Sequence, residues 1–111
     1  MIVHLDSDVF EIVKNKQKNI EIRVNDEKRR KLKVGDELIF LKRPLEEDKL
    51  YADVTFLDYY DNFEQLVNYY DMKNLYLEDY TKEELLNKLY SFYNKKEIEK
   101  YGVVAIGFKL K

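Results

Sequence analysis

Five segments of the chain show the pattern of apolar and polar residues that is typical of β-strands. The clearest is residues 19–24, where three apolar residues alternate with Glu21 and Arg23, so the two charged side chains share one face of a half-buried strand. Residues 101–110, YGVVAIGFKL, are apolar on both faces, which predicts a central place in a sheet. The other predicted strands are IVHL at residues 2–5, ELIFLKR at residues 37–43 and LYADVTFLDYY at residues 50–60.

Three segments have the apolar spacing of amphipathic helices. The first follows the strand at residues 2–5, where Asp6 or Ser7 can cap a helix. The other two are NFEQLVNYY at residues 62–70 and TKEELLNKLYSFYNKK at residues 81–96. Both begin with the spacing of a capping box, Asn62 with Gln65 and Thr81 with Glu84.

The predicted order of elements is strand, helix, three strands, two helices and strand. Strands that mostly follow one another through short turns, with helices inserted at two places, predict an α+β fold built on a small, mostly antiparallel β-barrel with flanking helices. With 111 residues, of which 45% are hydrophobic, the chain is expected to form one domain over residues 1–111.

The residue types that are missing narrow the possible chemistry. There is no cysteine, and His4 is the only histidine. Disulfides, thiolate catalysis and cysteine-based zinc sites are therefore excluded, and we predict no metal site and no cofactor, although carboxylates could hold magnesium. The start of the chain has no secretory pattern, and no segment approaches the ~20 apolar residues of a membrane span. The expectation is a cytoplasmic protein that does not enter a membrane.

Charge is distributed unevenly along the chain. Residues 14–33 contain nine basic and three acidic residues, whereas residues 58–84 contain eight acidic and two basic residues. The basic block could attract phosphate groups, although the net charge of the chain is −2. Alternatively, the two blocks could pair with each other in the fold.

Three charged residues carry a resemblance to a known family. Lys18, Glu21 and Arg23 have the spacing K-x-x-E-x-R, and they are followed by NDEKRRKLKVGD, the strand ELIF, the helix NFEQL and the closing KYGVVAIGFKL. This pattern resembles the ASCH domain, a branch of the PUA-like superfamily, over nearly the whole chain. The family pattern begins with a glycine two residues before the lysine, and this chain has Lys16 there.

The resemblance implies a β-barrel with flanking helices and a cleft into which Lys18, Glu21 and Arg23 project. It also implies that the partner is RNA or a nucleotide. One branch of the family is similar to an amidohydrolase that removes acetyl from N4-acetylcytidine with a Lys, a Thr and a Glu. On that pattern the candidate catalytic residues are Lys18, Glu78 and, at the position of the threonine nucleophile, Glu21. Because a carboxylate cannot replace that hydroxyl, the resemblance leaves the enzymatic function open.

The chemistry of the charged residues suits a nucleotide. Arg23 offers a planar fork for a phosphate or a base edge, Lys18 a compact ammonium, and Glu21 an acceptor for an exocyclic amine. Lys18 is an even number of residues from the apolar residues of the strand, so in a regular strand its side chain would point to the apolar face. It must therefore lie at the start of the strand or at a bulge to join Glu21 and Arg23. The alternative is a row of salt bridges on a solvated face, worth at most ~1 kcal/mol per pair.

Further candidate ligand contacts lie outside this strand. Arg30, in the basic run after it, could contact a phosphate, and Tyr76 and Tyr80, which flank Glu78, could stack on a base. Each of these residues could equally have a purely structural role.

Three functions remain open at this point. The first is binding of RNA or a nucleotide, and the second is hydrolysis of a modified nucleoside or of RNA. The third is a protein-interaction domain that uses the tyrosine-rich acidic surface, including Tyr59 and Tyr60. The oligomeric state is not predicted.

Overall fold

The computed structural model describes residues 1–111 and is built around a five-stranded sheet with five helices. A short 3₁₀ turn spans Arg29–Lys31. The strands are β1 (Ile2–Leu5), β2 (Ile20–Val24), β3 (Glu37–Lys42), β4 (Lys49–Tyr60) and β5 (Val103–Leu110). The helices are α1 (Ser7–Lys14), α2 (Phe63–Tyr69), α3 (Met72–Leu75), α4 (Lys82–Phe92) and α5 (Lys95–Tyr101).

The strands lie in the order β1-β3-β4-β5-β2. β1 runs parallel to β3, and the other three pairings are antiparallel. The predicted α+β fold is confirmed, and the curled sheet forms a half-barrel whose two free edges are β1 and β2. β5 lies between β4 and β2, as its apolar residues on both faces predict.

Two hydrophobic clusters cover the two faces of β5. Val104 and Ile106 belong to the cluster that contains Phe10 of α1 and the inward residues of β1, β3 and β4. Val103 and Ala105 belong to the other cluster, which contains the apolar face of β2 and residues of α2–α5. Glu21 pairs with Ile106 and Arg23 with Val104. Because paired residues of antiparallel strands point to the same side, Glu21 and Arg23 lie on the same face of the sheet as Ile106 and Val104.

The helical segment near the C-terminus differs from the prediction. The capping box of Thr81 and Glu84 forms, but α4 ends at Phe92 rather than at residue 96. Asn94 caps a second helix, α5, by accepting a hydrogen bond of 2.8 Å from the backbone N–H of Glu97. The N-cap at Asn94 therefore starts a new helix within the segment that was predicted as one helix. The lysines at the end of that segment lie in the first turn of α5. The short α3 was also not predicted.

None of the helices combines the length and the apolar character that crossing a membrane would require.

Lys16 occupies the place of the glycine in the family pattern and keeps a glycine-like backbone. Its φ is +62°, in the left-handed region that L-residues rarely adopt. The side chain is exposed, in the turn between α1 and β2. The backbone at this position is therefore one that a glycine adopts without strain, although the residue is a lysine.

Replacing Lys16 with glycine is expected to stabilise the protein. The left-handed conformation costs an L-residue ~1–2 kcal/mol, and glycine avoids this cost. Glycine also loses roughly 0.5–1 kcal/mol of stability, because its unfolded chain has more conformational entropy. Lys16→Gly should therefore raise the free energy of unfolding, measured by urea denaturation, by about 0.5–1 kcal/mol. Lys16→Ala, the control, keeps the strain and should show no such gain. An unchanged or lowered value for Lys16→Gly would contradict this explanation.

Candidate functional site

A cavity of about 370 Å³ lies between the two free edges of the half-barrel, and we call it the edge cleft. One side is formed by the end of β1 and the start of α1, including His4 and Val9. The opposite side is formed by β2 and by α3 and α4. Because the sheet does not close between β1 and β2, side chains of β2 that would fill a closed barrel are open to this space.

Lys18 is buried immediately before β2, with an exposed fraction of 5%. Its ammonium donates hydrogen bonds to the backbone carbonyls of Ile20 and of Leu75, the latter at 2.8 Å, and lies 3.3 Å from Oε1 of Glu21. Three acceptors therefore surround the three N–H donors of the ammonium. Lys18 joins the charged face of β2 from the start of the strand and ties it to α3.

Glu21 is equally buried, although it is a carboxylate in the middle of a strand. Its Oε2 accepts two hydrogen bonds from Arg23, from Nε at 3.0 Å and from Nη2 at 2.7 Å. Its Oε1 faces Lys18. A carboxylate between a guanidinium and an ammonium is the arrangement in which a buried charge remains compensated. We call Lys18, Glu21 and Arg23 the charged triad.

Burial and pairing act in opposite directions on the pKa values of the triad. Burial alone would raise the pKa of Glu21, but the nearby charges of Arg23 and Lys18 lower it below its usual value. Burial lowers the pKa of Lys18, and the attraction of Glu21 opposes this shift. For Arg23, burial is outweighed by Glu21, so its pKa is raised. Glu21 and Arg23 are therefore both charged at neutral pH.

Arg23 retains hydrogen-bonding capacity on the side of the cleft. Nε and Nη2 donate to Glu21, and Nη2 also contacts the carbonyl of His4 at 3.4 Å, so Arg23 links the two edges of the sheet. None of these three hydrogen bonds involves Nη1. Arg23 also lies beside the hydroxyl of Tyr93, whose pKa is raised by burial while Arg23 acts in the opposite direction. Arg23 is thus a charged donor group, held by Glu21, in the lining of the cleft.

Helix α4 supplies a wall of the cleft that the sequence did not reveal. Leu85, Lys88, Leu89 and Phe92 line the cleft at helical spacing. The ammonium of Lys88 donates a hydrogen bond of 2.9 Å to the hydroxyl of Tyr76. The sequence signal for Leu85, Leu89 and Phe92 was that of a core-facing stripe, which does not separate a core from a cavity.

The structure brings together four of the predicted site residues. Lys18, Glu21, Arg23 and Tyr76 all line the edge cleft. Tyr80 packs against Tyr76 with the ring centres 4.6 Å apart, and it does not line the cleft. Tyr80, which was predicted as a ligand contact, therefore lies against the Tyr76 ring and outside the lining of the cleft.

Glu78 and Arg30 lie away from the edge cleft. Glu78 is exposed, and the predicted pair with Lys18 does not form because the ammonium is held by backbone carbonyls and Glu21. Arg30 turns toward Tyr101: its Nε donates to the carbonyl of Asn25 at 3.0 Å, and its guanidinium lies 5.4 Å from the centre of the Tyr101 ring. The loop geometry after β2 thus directs Arg30 to a different surface.

The basic and acidic blocks of the chain do not pair with each other. The ion pairs of the basic block lie within it: Lys18 and Arg23 with Glu21, and Arg29 with Asp26. No group of three or more histidine or carboxylate side chains converges to hold a metal ion.

The chain belongs to the ASCH domain family, whose model matches residues 3–111. ASCH is a PUA-like family that is often linked to RNA binding. No curated protein matches the chain at a significant level.

Three solved structures are similar to the chain. The crystal structure of the hypothetical protein PH0355 is 32% identical, with a TM-score of 0.87 over 99% of this chain and 97% of the other. The solution structure of PF0455 from Pyrococcus furiosus is 27% identical, with a TM-score of 0.73 over the same shares of the two chains. A mutant of ZmASCH from Zymomonas mobilis is 12% identical, with a TM-score of 0.61 over 97% of this chain and 66% of the other, and this likeness concerns the fold.

The charged triad predicts a large effect of one substitution. Glu21→Gln keeps the shape of the side chain but leaves the buried charges of Lys18 and Arg23 without a counter-charge. Breaking a buried ion pair in this way costs ~3–5 kcal/mol, which should appear as a loss of the free energy of unfolding in urea. Glu27→Gln, which changes an exposed carboxylate without an ion pair, should cost less than about 0.5 kcal/mol. Equal effects of the two substitutions would show that the triad is not a buried, mutually dependent unit.

Proposed function

We propose that the protein binds RNA or a nucleotide, and that the edge cleft holds one nucleotide. The observation that supports the proposal is the guanidinium of Arg23, a charged donor group that lines the cleft while two hydrogen bonds to Glu21 hold it in place. A guanidinium held in this way can donate to a phosphate oxygen or to the acceptor edge of a base without losing further side-chain entropy.

The charge of the cleft favours an anionic ligand. Four cationic side chains line it, and only two carboxylates do: Lys18, Arg23, Arg43 and Lys88 against Asp6 and Glu21. Such an excess in a concave, partly apolar site raises the local concentration of anions. A phosphate-bearing ligand fits this balance better than a neutral nucleoside.

The size and lining of the cleft agree with a ligand that has a planar apolar part. Its volume of about 370 Å³ lies within the ~300–1,000 Å³ of small-molecule sites. Leu85 and Leu89 of α4 and Ile22 of β2 provide an apolar wall, and Glu21 and Arg23 provide the polar groups. A nucleobase combines these two requirements, since its faces are apolar and its edge is polar.

A hydrolase acting on a modified nucleoside is the second candidate. It is favoured by the lowered pKa of Lys18, because a buried lysine beside a carboxylate can serve in proton transfer. Against it, all three donors of Lys18 are occupied and the exposed Glu78 does not reach the cleft. Binding without catalysis is therefore the function that we propose first.

Removing the guanidinium of Arg23 should weaken binding of short single-stranded RNA by about 10- to 150-fold, which corresponds to the ~1.5–3 kcal/mol of a hydrogen bond to a charged group. Fluorescence anisotropy with labelled RNA at fixed salt measures this for Arg23→Ala and for Arg23→Lys, which keeps a positive charge beside Glu21. Arg30→Ala is the matched control, since it removes an arginine near the same strand but outside the cleft, and it should leave the affinity unchanged.

Two results would contradict the proposal. One is a wild-type protein that binds neither RNA nor nucleotides, and the other is equal loss of affinity in the variants of Arg23 and Arg30. Acetate release from N4-acetylcytidine, abolished in Lys18→Ala, would favour the hydrolase instead.

A further inference from the structure

The rim of the edge cleft carries an exposed aromatic ring. Phe92, the last residue of α4, lines the cleft and yet has an exposed fraction of 63%. It follows Leu85 and Leu89 on the same face of the helix, but those two leucines are buried and Phe92 lies beyond the core. At 1.5 Å per residue, the ring is about 10 Å along the helix axis from Leu85. One end of the cleft therefore presents a large apolar surface to solvent.

The lining of the cleft also includes an exposed cation without an ion-pair partner. Arg43 follows β3, is exposed, and lines the cleft from the side of β1, where its backbone N–H donates a hydrogen bond of 2.8 Å to the carbonyl of Leu5. Its guanidinium takes part in none of the ion pairs or side-chain hydrogen bonds of the protein. By contrast, Lys42 next to it is paired with Glu11. Nothing within the fold accounts for the position of the Arg43 charge.

Proteins bind single-stranded nucleic acids with cationic side chains and exposed aromatic rings, and the lining of this cleft includes one of each, Arg43 and Phe92. The ring offers a face on which a base stacks, and the cation contacts the backbone phosphate. A free mononucleotide inside the cleft would leave the exposed face of Phe92 in solvent, whereas a chain that leaves the cleft would cover it.

We propose that the ligand is a single-stranded RNA segment rather than a free nucleotide: one nucleotide enters the edge cleft, the base of its neighbour stacks on Phe92, and Arg43 contacts the backbone phosphate at the rim. This inference rests on the proposed function, and it assigns to the rim a role that the charged triad does not have. Phe92 and Arg43 then determine the preference for a chain over a single nucleotide.

The test compares two kinds of ligand at one salt concentration. The first is the set of four nucleoside 5′-monophosphates, and the second is a set of single-stranded RNA tetranucleotides, each of one base. Calorimetry with the wild-type protein should show the preferred tetranucleotide binding at least about tenfold more tightly than the matching mononucleotide. Phe92→Ala should weaken binding of the tetranucleotide by about 5- to 150-fold, the range for one base stacked on an aromatic ring, and should weaken binding of the mononucleotide several-fold less.

Matched variants separate stacking from general effects of substitution. Phe92→Trp retains an aromatic face and should keep the affinity for the tetranucleotide. Tyr69→Ala removes an aromatic ring that is 72% exposed but lies outside the cleft, and it should have no effect. Arg43→Ala should weaken binding of the tetranucleotide. It should also reduce the slope of log affinity against log salt by about 0.7, the value for one phosphate contact on a single strand. Lys33→Ala, at an exposed residue outside the cleft, should change neither the affinity nor the slope.

The outcomes distinguish this inference from the function on which it rests. If the tetranucleotide and the mononucleotide bind equally well, or if Phe92→Ala weakens both alike, the rim has no separate role and the inference is wrong, while nucleotide binding in the cleft stands. If the wild-type protein binds neither ligand, both are wrong. If binding depends on Phe92 but not on Arg23, the rim is the site and the proposed role of the charged triad is wrong.

Discussion

The structure around the cleft depends on the burial of one carboxylate, Glu21. A carboxylate inside a protein loses its hydration, and this cost is recovered only when hydrogen bonds and opposite charges replace the water. Arg23 supplies two hydrogen bonds and Lys18 a second positive charge, so the pKa of Glu21 stays low despite its burial. The same contacts hold Arg23 in one orientation. The compensation of one buried charge thus fixes the guanidinium of Arg23 in the lining of the cleft.

The position of this charged unit follows from the topology of the sheet. The half-barrel has two free edges, and the charged face of β2 lies at one of them. Arg23 reaches the carbonyl of His4 near the other edge, and Lys18 reaches the carbonyl of Leu75 in α3. In a closed barrel the gap would be filled by strand pairing and apolar packing, whereas here the charged triad crosses it and leaves a cavity that α4 bounds. The open sheet and the buried charge therefore belong together: the first creates the space, and the second makes part of its lining polar.

The sequence predicts the strands well because alternation is a local property. The pattern of residues 19–24 alone places Glu21 and Arg23 on one face, and the apolar character of residues 101–110 places β5 at the centre. The place of Lys18 at the start of the strand followed from the spacing, but its burial could not be predicted, because one of its partners is a carbonyl 57 residues away. The exposure of Phe92 was hidden for a similar reason: its spacing matches that of buried leucines, and only the tertiary arrangement shows that the helix extends past the core. The break between α4 and α5 was readable in Asn94, a residue suited to capping a new helix, but the continuous apolar pattern masked it.

The central claim is that a ligand contacts the guanidinium of Arg23, which Glu21 holds in place. Nuclear magnetic resonance of the arginine side chains in ¹⁵N-labelled protein observes this group directly, while a short single-stranded RNA is added. The account predicts that the Nη1 resonance of Arg23 shifts in proportion to the bound fraction, while the side-chain resonances of Arg30 remain in place. RNA that binds without any change at the Arg23 guanidinium would contradict the account.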